Sequence, residues 1–536
     1  MVFVPPGVLL AASVSALVYL LFKSLFRRVK SFKSTRLRGP PRRSLILGET
    51  GYIRLSPDPK LIYKEWARQY GPVFRIALPA GSEAIIVTDS KAATQILSKD
   101  TYSYVKTVGL RAVIERLVGR GVLWAEGDEH KRQRRIMNPP FSTAALRNSV
   151  PMIYEKAHQL QAAWEALLDS EKGRSKVEVE LHDWILKLLL DIVGCSIFDY
   201  DFHTLEGQTP PILTALQSLN DTKPTKLEIL AYMASIFVPP PLVKWVGKLP
   251  SQRNQLMANV AVSSRDILER VLEESKKKTE VEKEDEDRKS LLRVLVEGDM
   301  GMDLSREERK DMIVTQMKAI LVAGPDPVAA TVVWALIELA RRPDIQEALR
   351  AEIVASAGAD AEWESLDSSF PFLDAVVSEI VRLRPTTGEA PRVAVEDDVL
   401  QLSEPIIDAS GKVINEVNIA KGTKIIIPNH YMNSVPAIWG EDSTTFNPYR
   451  WLRKEDEQTR SRRRLYSFGD GPRMCIGRAF ALMTLKITLA TLIRHFVFEF
   501  PRGPKTEIDV HFSLVARPKV KGEASASVPM LISRPS

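Results

Sequence analysis

The chain has 536 residues, 45% of them apolar and 26% charged, which suits a globular protein with a large core and argues against disorder. Two cysteines 280 positions apart make no disulfide framework. With neither CxxC nor HExxH present, the usual zinc sites find no support either. The net charge is +7, but nine cations lie between Lys23 and Arg43 with no acid among them; the remainder, near −2, gives no reason to expect a nucleic-acid partner.

Met1 to Phe22 carries no charge. As a helix it would span ~33 Å, about the hydrocarbon thickness of a bilayer. A cleaved signal peptide wants its basic residues before the apolar run, and here they follow it. The sequence therefore predicts a retained single-pass anchor at 1–22, then a basic collar and Pro-rich hinge at 23–43. The positive flank puts the body, 44–536, on the cytosolic side, with the endoplasmic reticulum as the expected membrane. The prolines of "RLRGPPRR" at 36–43 fix φ and stiffen the hinge.

Within the body, "VFRIA" and "AIIVT" read as a hairpin over 73–88. Apolar residues at helical spacing predict helices over 151–169, 181–198, 255–275, 307–324, 328–341, 344–357 and 371–384. The mixed-charge run 276–289 reads as a solvated connection. One large domain, mainly α with a small β region, accounts for this pattern.

Two stretches stand out before the C-terminal region. "LVAGPDPVAATVVWAL" at 321–336 places Pro325 and Pro327 around Gly324 inside an apolar helix. An interior proline costs about 3 kcal/mol and frees the carbonyl four residues earlier, here those of Leu321 and Ala323, so a kink is expected. Thr331 stands one turn further on, ~6 Å along the axis. In "EIVR", Glu379 and Arg382 are spaced i, i+3, close enough to pair.

"FGDGPRMCIG", Phe468 to Gly477, sets one of the two cysteines in a glycine-rich loop directly before an apolar helix. A thiolate is a strong transition-metal ligand. Glycines let amide N–H groups approach the sulfur, and the helix N-terminus adds positive potential. Arg473 is placed to hold an anionic group of the same ligand. Cys195 has no such surroundings and reads as helix core.

Phe468, Gly471, Arg473, Cys475 and Gly477 complete the pattern FxxGxRxCxG of the haem-thiolate monooxygenases, and from about residue 36 onward the chain resembles the cytochrome P-450 superfamily. The resemblance implies haem as cofactor, with Cys475 as the axial ligand to its iron, where a thiolate favours O–O cleavage. It also implies that Arg450, in "FNPYRW", joins Glu379 and Arg382 in a charge-assisted network behind the haem that holds the cysteine loop. Arg392 matches a frequent haem-propionate contact. In "WAEGDEHKRQRRIMNPPFS" at 124–142, His130 and Arg134 occupy the positions of a tryptophan–arginine pair that reaches a propionate; fungal members of the superfamily often look like this.

The 321–336 stretch resembles the helix across the oxygen-binding face. Ala323, Gly324 and Asp326 match the family pattern, but Pro327 stands where threonine is usual. Oxygen activation needs protons. Without that hydroxyl they are expected from water held at the kink together with Asp326, or from a hydroxyl on the substrate.

The expected pocket linings, 101–123, 231–250, the distal helix and residues after Pro385, are apolar and point to a lipophilic substrate, a terpenoid or other secondary metabolite. "FVPPPLVKWVGKL" at 237–249 reads as a further membrane-dipping segment. No Rossmann fingerprint is present, so the resemblance implies a separate, membrane-bound NADPH-dependent flavoprotein reductase. Two alternatives remain at this level: a haem-thiolate isomerase or dehydratase that needs no external electrons, and an anchored binding protein without catalysis.

Overall fold

Helices form where apolar residues recur three and four apart, and the deepest are buried on most of their circumference. In Leu181–Val193 ten of thirteen side chains are buried, the signature of a helix enclosed by its neighbours. The computed structural model describes residues 34–535 apart from 57, 171–174, 222–251, 278–294, 296–304, 357–359, 454–463, 513–514 and 524–525. The expectations for the anchor, for most of 276–289 and for the stretches 231–250 and 237–249 lie outside the described residues.

The principal helices are α1 Thr50–Leu55, α2 Pro59–Tyr70, α3 Val108–Val118, α4 Gly127–Met137, α5 Thr143–Ser170, α6 Leu181–Val193, α7 Gln252–Lys277, α8 Arg306–Ala323, α9 Pro325–Arg341, α10 Pro343–Ser356, α11 Pro371–Leu383 and α12 Arg478–His495. The main core lies where α12 packs on α5, α9, α10 and α11, and where α9 packs on α6. Strands β1 Val73–Ala77, β2 Glu83–Val87, β3 Tyr104–Lys106, β5 Ala390–Ala394 and β8 Lys424–Ile427 form one sheet in the order β1-β2-β8-β5-β3. Strand β4, Val177–Glu180, pairs with β12, Pro529–Ser533, which also pairs with β9, Val497–Glu499. Two hairpins complete the set: β6 Asp398–Ile407 with β7 Val413–Ile419, and β10 Ile508–Phe512 with β11 Ala516–Val520.

The fold is mainly helical with small sheets, and the 73–88 hairpin forms with Val73 opposite Val87. Three local readings change. Helix α5 starts at Thr143 rather than at 151 and runs through Pro151. Burial of Leu146, Val150 and Ile153 on the inner face offsets the missing N–H. The beginning of the expected hinge is docked: Thr35 N–H donates to Asn418 O at 3.0 Å, Arg75 N–H to Arg38 O at 3.0 Å, and Leu37 is buried. Cys195 is half-buried on a π-turn, Gly194–Phe198, and burial pushes its thiol up to about 12. Among the described residues one stretch, 306–341, is long and apolar enough to cross a bilayer, but 67% of its apolar window is buried inside the protein, as for a core helix.

Candidate active site around Cys475

Short 3₁₀ turns at Tyr466–Phe468 and Gly471–Arg473 shape the cysteine loop. Gly471 has φ +66°, and a Cβ there would lie 2.5 Å from Leu97 O and Ser98 Cα, so only glycine fits. Cys475 N–H donates to Phe468 O at 2.8 Å, which folds the loop back, and Gly477 caps α12 directly after the cysteine. The Cys475 side chain is solvent-accessible. Desolvation nevertheless raises its thiol above the ordinary value, opposed by the Gly477 N–H and the charges of Arg134 and Arg478. A bound metal ion displaces the proton itself.

Behind the loop, Glu379 and Arg382 on α11 are both fully buried and pair twice, Nε to Oε2 at 2.9 Å and Nη2 to Oε1 at 2.8 Å. Arg450 Nε reaches Glu379 Oε1 at 3.0 Å, and Trp451 Nε1 reaches Oε2 at 2.9 Å. Burial alone would raise the Glu379 carboxyl, but the two arginines hold it below its ordinary value. The network reaches the cysteine loop through Asn433: Arg382 donates to its carbonyl at 2.8 Å, and its side chain bonds Tyr466 N at 2.9 Å and Ser467 Oγ at 2.7 Å. Sequence reasoning missed Asn433, because nothing local marks a residue in "PNHYMNS" as a bridge.

Beside the loop lies a cluster with excess positive charge. Arg473 bonds Thr101, Tyr104 O and Glu126, stacks over the Tyr102 ring, and keeps a buried Nε without a partner. Arg134 Nη1 donates to Met474 O at 2.5 Å. Strand pairing sets Lys106 directly opposite Arg392. Lys106 Nζ lies 3.2 Å from Glu126. Burial, with the neighbouring cations, takes Lys106 down to about 8 and Arg392 to about 10. His130, also buried, falls to about 4, through desolvation and then the charges of Lys106, Arg473 and Arg134. It is neutral at physiological pH and meets Tyr102 OH through Nδ1 at 3.0 Å. Glu126 is the acid paired with Lys106 and Arg473, and its charge also reaches Arg392, while Arg134 lies near His130. An anionic ligand with two carboxylates fits this surplus, and haem carries two propionates. The sequence reading named His130, Arg134, Arg392 and Arg473 but not Lys106, Tyr102 or Glu126. The β3–β5 register places Lys106, Tyr102 lies just before β3, and Glu126, which precedes α4, accepts from the Lys106 N–H at 2.9 Å.

The helix expected across the site breaks at Gly324, with α8 ending at Ala323 and α9 beginning at Pro325. Ala323 is exposed and Gly324, Pro327 and Val328 are half-buried, a single open face; Pro325 and Asp326 are buried. The Asp326 carboxylate turns from that face to bond Arg517 on β11, and His182 Nε2 on α6 stands 3.4 Å from it. Burial pushes the carboxyl up, but His182 and Arg517 bring it below its ordinary value. The expectation that Asp326 works beside water at the kink needs correction: the acid is engaged in a buried ion pair. Thr331, one turn further on, is buried, and its hydroxyl donates to Pro327 O at 2.8 Å.

A profile of the cytochrome P450 family matches residues 38–525. The chain is 35% identical to the cytochrome P450 monooxygenase claW of Ampulloclitocybe clavipes, over 100% of this chain and 99% of that protein. It is 36% identical to claQ of the same organism, over 96% of each. It is 28% identical to cytochrome P450 monooxygenase 205 of Postia placenta, over 98% of each.

Proposed function

The chain belongs to the cytochrome P450 family, and from that premise we propose a membrane-attached monooxygenase that oxidises a lipophilic small molecule, a terpenoid or other secondary metabolite. Members of this family are oxidoreductases with haem as cofactor, and in general they draw electrons from a reductase. For this chain we assign that role to a separate NADPH-dependent flavoprotein. The anchor at 1–22 would hold the 44–536 body on the cytosolic face of the endoplasmic reticulum.

Bound haem supplies the oxygen chemistry: one atom of O2 enters the substrate and the other leaves as water, with two electrons and two protons consumed. Cys475 would ligate the iron. Arg134, Arg392, Arg473 and Lys106 would hold the propionates, with His130 as a further hydrogen-bonding partner. Gly471 and the Asn433 bridge fix the loop, and Glu379, Arg382 and Arg450 brace it from behind.

Pro327 leaves no hydroxyl on the open helix face. Pro325 and Pro327 lack N–H groups, so the carbonyls of Leu321 and Ala323 lose their helical donors and are natural acceptors for ordered water. Water at Ala323 O carries the protons in this reading, and Asp326 sets the local field from its ion pair. Support for a lipophilic substrate comes from α3 and its flank, where Val108, Val113 and Leu123 are exposed. The cations nearby are occupied, Arg111 and Arg120 lying over the Trp124 ring at 3.8 and 5.1 Å.

The observation that carries the proposal is the joining of Cys475 to both the buried Glu379 network and the cation cluster. Its test is the spectrum of the reduced protein with carbon monoxide, followed by product formation from lipophilic candidates with reductase and NADPH. Absence of a thiolate-ligated band would overturn the proposal. Turnover without NADPH would instead favour the isomerase or dehydratase class.

A further inference from the structure

His130 on α4 is 3% exposed, and one of its ring nitrogens is accounted for: Nδ1 meets Tyr102 OH at 3.0 Å. Its Nε2 bonds no protein atom among the described residues. A neutral imidazole carries a single N–H. Desolvation and the charges of Lys106, Arg473 and Arg134 keep His130 neutral, so one nitrogen holds the proton and the other a lone pair. A tryptophan at this position would offer a donor whatever its neighbours did. A histidine can offer either, and a lone pair turned toward a carboxylate, which only accepts, is repulsive. Some neighbouring group has to choose the tautomer.

The surroundings of Tyr102 fit that task. Its phenol is the partner of Nδ1, and when the O–H donates there the ring proton stays on Nε2. Arg473 Cζ and Lys131 Nζ each lie 4.9 Å from the centroid of its ring. Positive charge over the ring draws electron density from the oxygen and favours donating over accepting. The chain on either side is pinned: Val395 N–H donates to Ser103 O at 2.9 Å, and Arg473 bonds both the carbonyl and the hydroxyl of Thr101. The phenol is thus oriented by the fold itself.

We infer that Tyr102 is a positioning residue for haem: it donates to His130 Nδ1, fixes the Nε2–H tautomer and so lets a histidine act as hydrogen-bond donor to a propionate. The inference rests on the proposed haem site and adds a residue that acts on the ligand through another side chain.

The experiment places Tyr102→Phe in the full haem-loaded chain in two backgrounds, native and His130→Trp. Phenylalanine keeps the ring beside Arg473 and Lys131 and removes only the hydroxyl. Haem transfer to excess apomyoglobin is followed, with far-ultraviolet circular dichroism as the control for folding. Tyr102→Phe should speed haem loss several-fold in the native background. It should change nothing once His130→Trp supplies a donor that needs no partner. An unchanged rate in the native background would overturn the inference. Equal acceleration in both backgrounds would overturn it too, because Tyr102 would then act without regard to the tautomer. Should His130→Trp fail to take up haem, nuclear magnetic resonance of isotope-labelled histidine nitrogens in the reduced carbon-monoxide form decides instead. His130 Nε2 should carry the proton in the native chain and share it with Nδ1 in Tyr102→Phe, and an identical signal in both would overturn the inference. All these outcomes leave the haem site standing, whereas a native chain that binds no haem would overturn that reading and this one with it.

Discussion

The carboxylate of Asp326 is bonded to the guanidinium of Arg517, with each residue only 2% exposed. The pair ties the start of α9, one residue past the proline that breaks the long helix, to the C-terminal hairpin. Ala516, next to Arg517, bonds Thr386 O at 3.2 Å in the segment after α11.

Arg517→Gln should therefore destabilise strongly, by about 3–5 kcal/mol, since it strands a buried charge. Asp326→Asn added to that variant should recover part of the loss. The sign with pH follows from the depressed carboxyl: the stabilisation is complete above the ordinary carboxylate range and is lost as pH falls through the lower folded value. Thermal unfolding of the single and double variants across acidic pH measures this. A double variant no better than the single one would show that the charge is not the cause.

Cys475→Ala should abolish both the thiolate-type spectrum and activity, while Cys195→Ala should change neither. A single ligand sets the iron's electronics, whereas the Cys195 thiol is pushed far above neutrality and half-buried.

Asn433→Ala should loosen the cysteine loop without touching the ligand. It removes the side-chain bonds to Tyr466 N and Ser467 Oγ, about 1 kcal/mol each and more if the buried Tyr466 N–H finds no substitute. The expected readout is faster haem loss and an unfolding midpoint lowered by a few degrees. A variant that loses haem at the native rate would remove Asn433 from the bracing path.

Pro327→Thr should keep haem and alter the product formed per NADPH consumed. If water at the broken helix delivers protons, the ratio should change for every substrate. If the substrate's own hydroxyl does so, the native protein should leak peroxide only with a deoxy analogue, and Pro327→Thr should rescue only that analogue. Equal coupling in all four combinations would take position 327 out of proton transfer.

Much of this protein was determined by local sequence. Helix positions were legible because buried faces repeat at the helical period, and the cysteine loop because its glycines and ligand stand close together in the chain. The kink at Gly324 was legible because proline removes a donor wherever the helix lies. Tertiary structure decided the rest. It showed that Asp326 faces Arg517 and His182 rather than the open face, because those partners come from β11 and α6, far away in sequence. Lys106 joined the cation cluster through a strand register no local pattern encodes, and Asn433 became a bridge only once α11 and the cysteine loop were packed together. Pro151 lies inside a helix rather than at its start, because apolar burial on one face outweighs one missing hydrogen bond. A sequence states each residue's capacity to bond or to bury, and the fold alone chooses the partner.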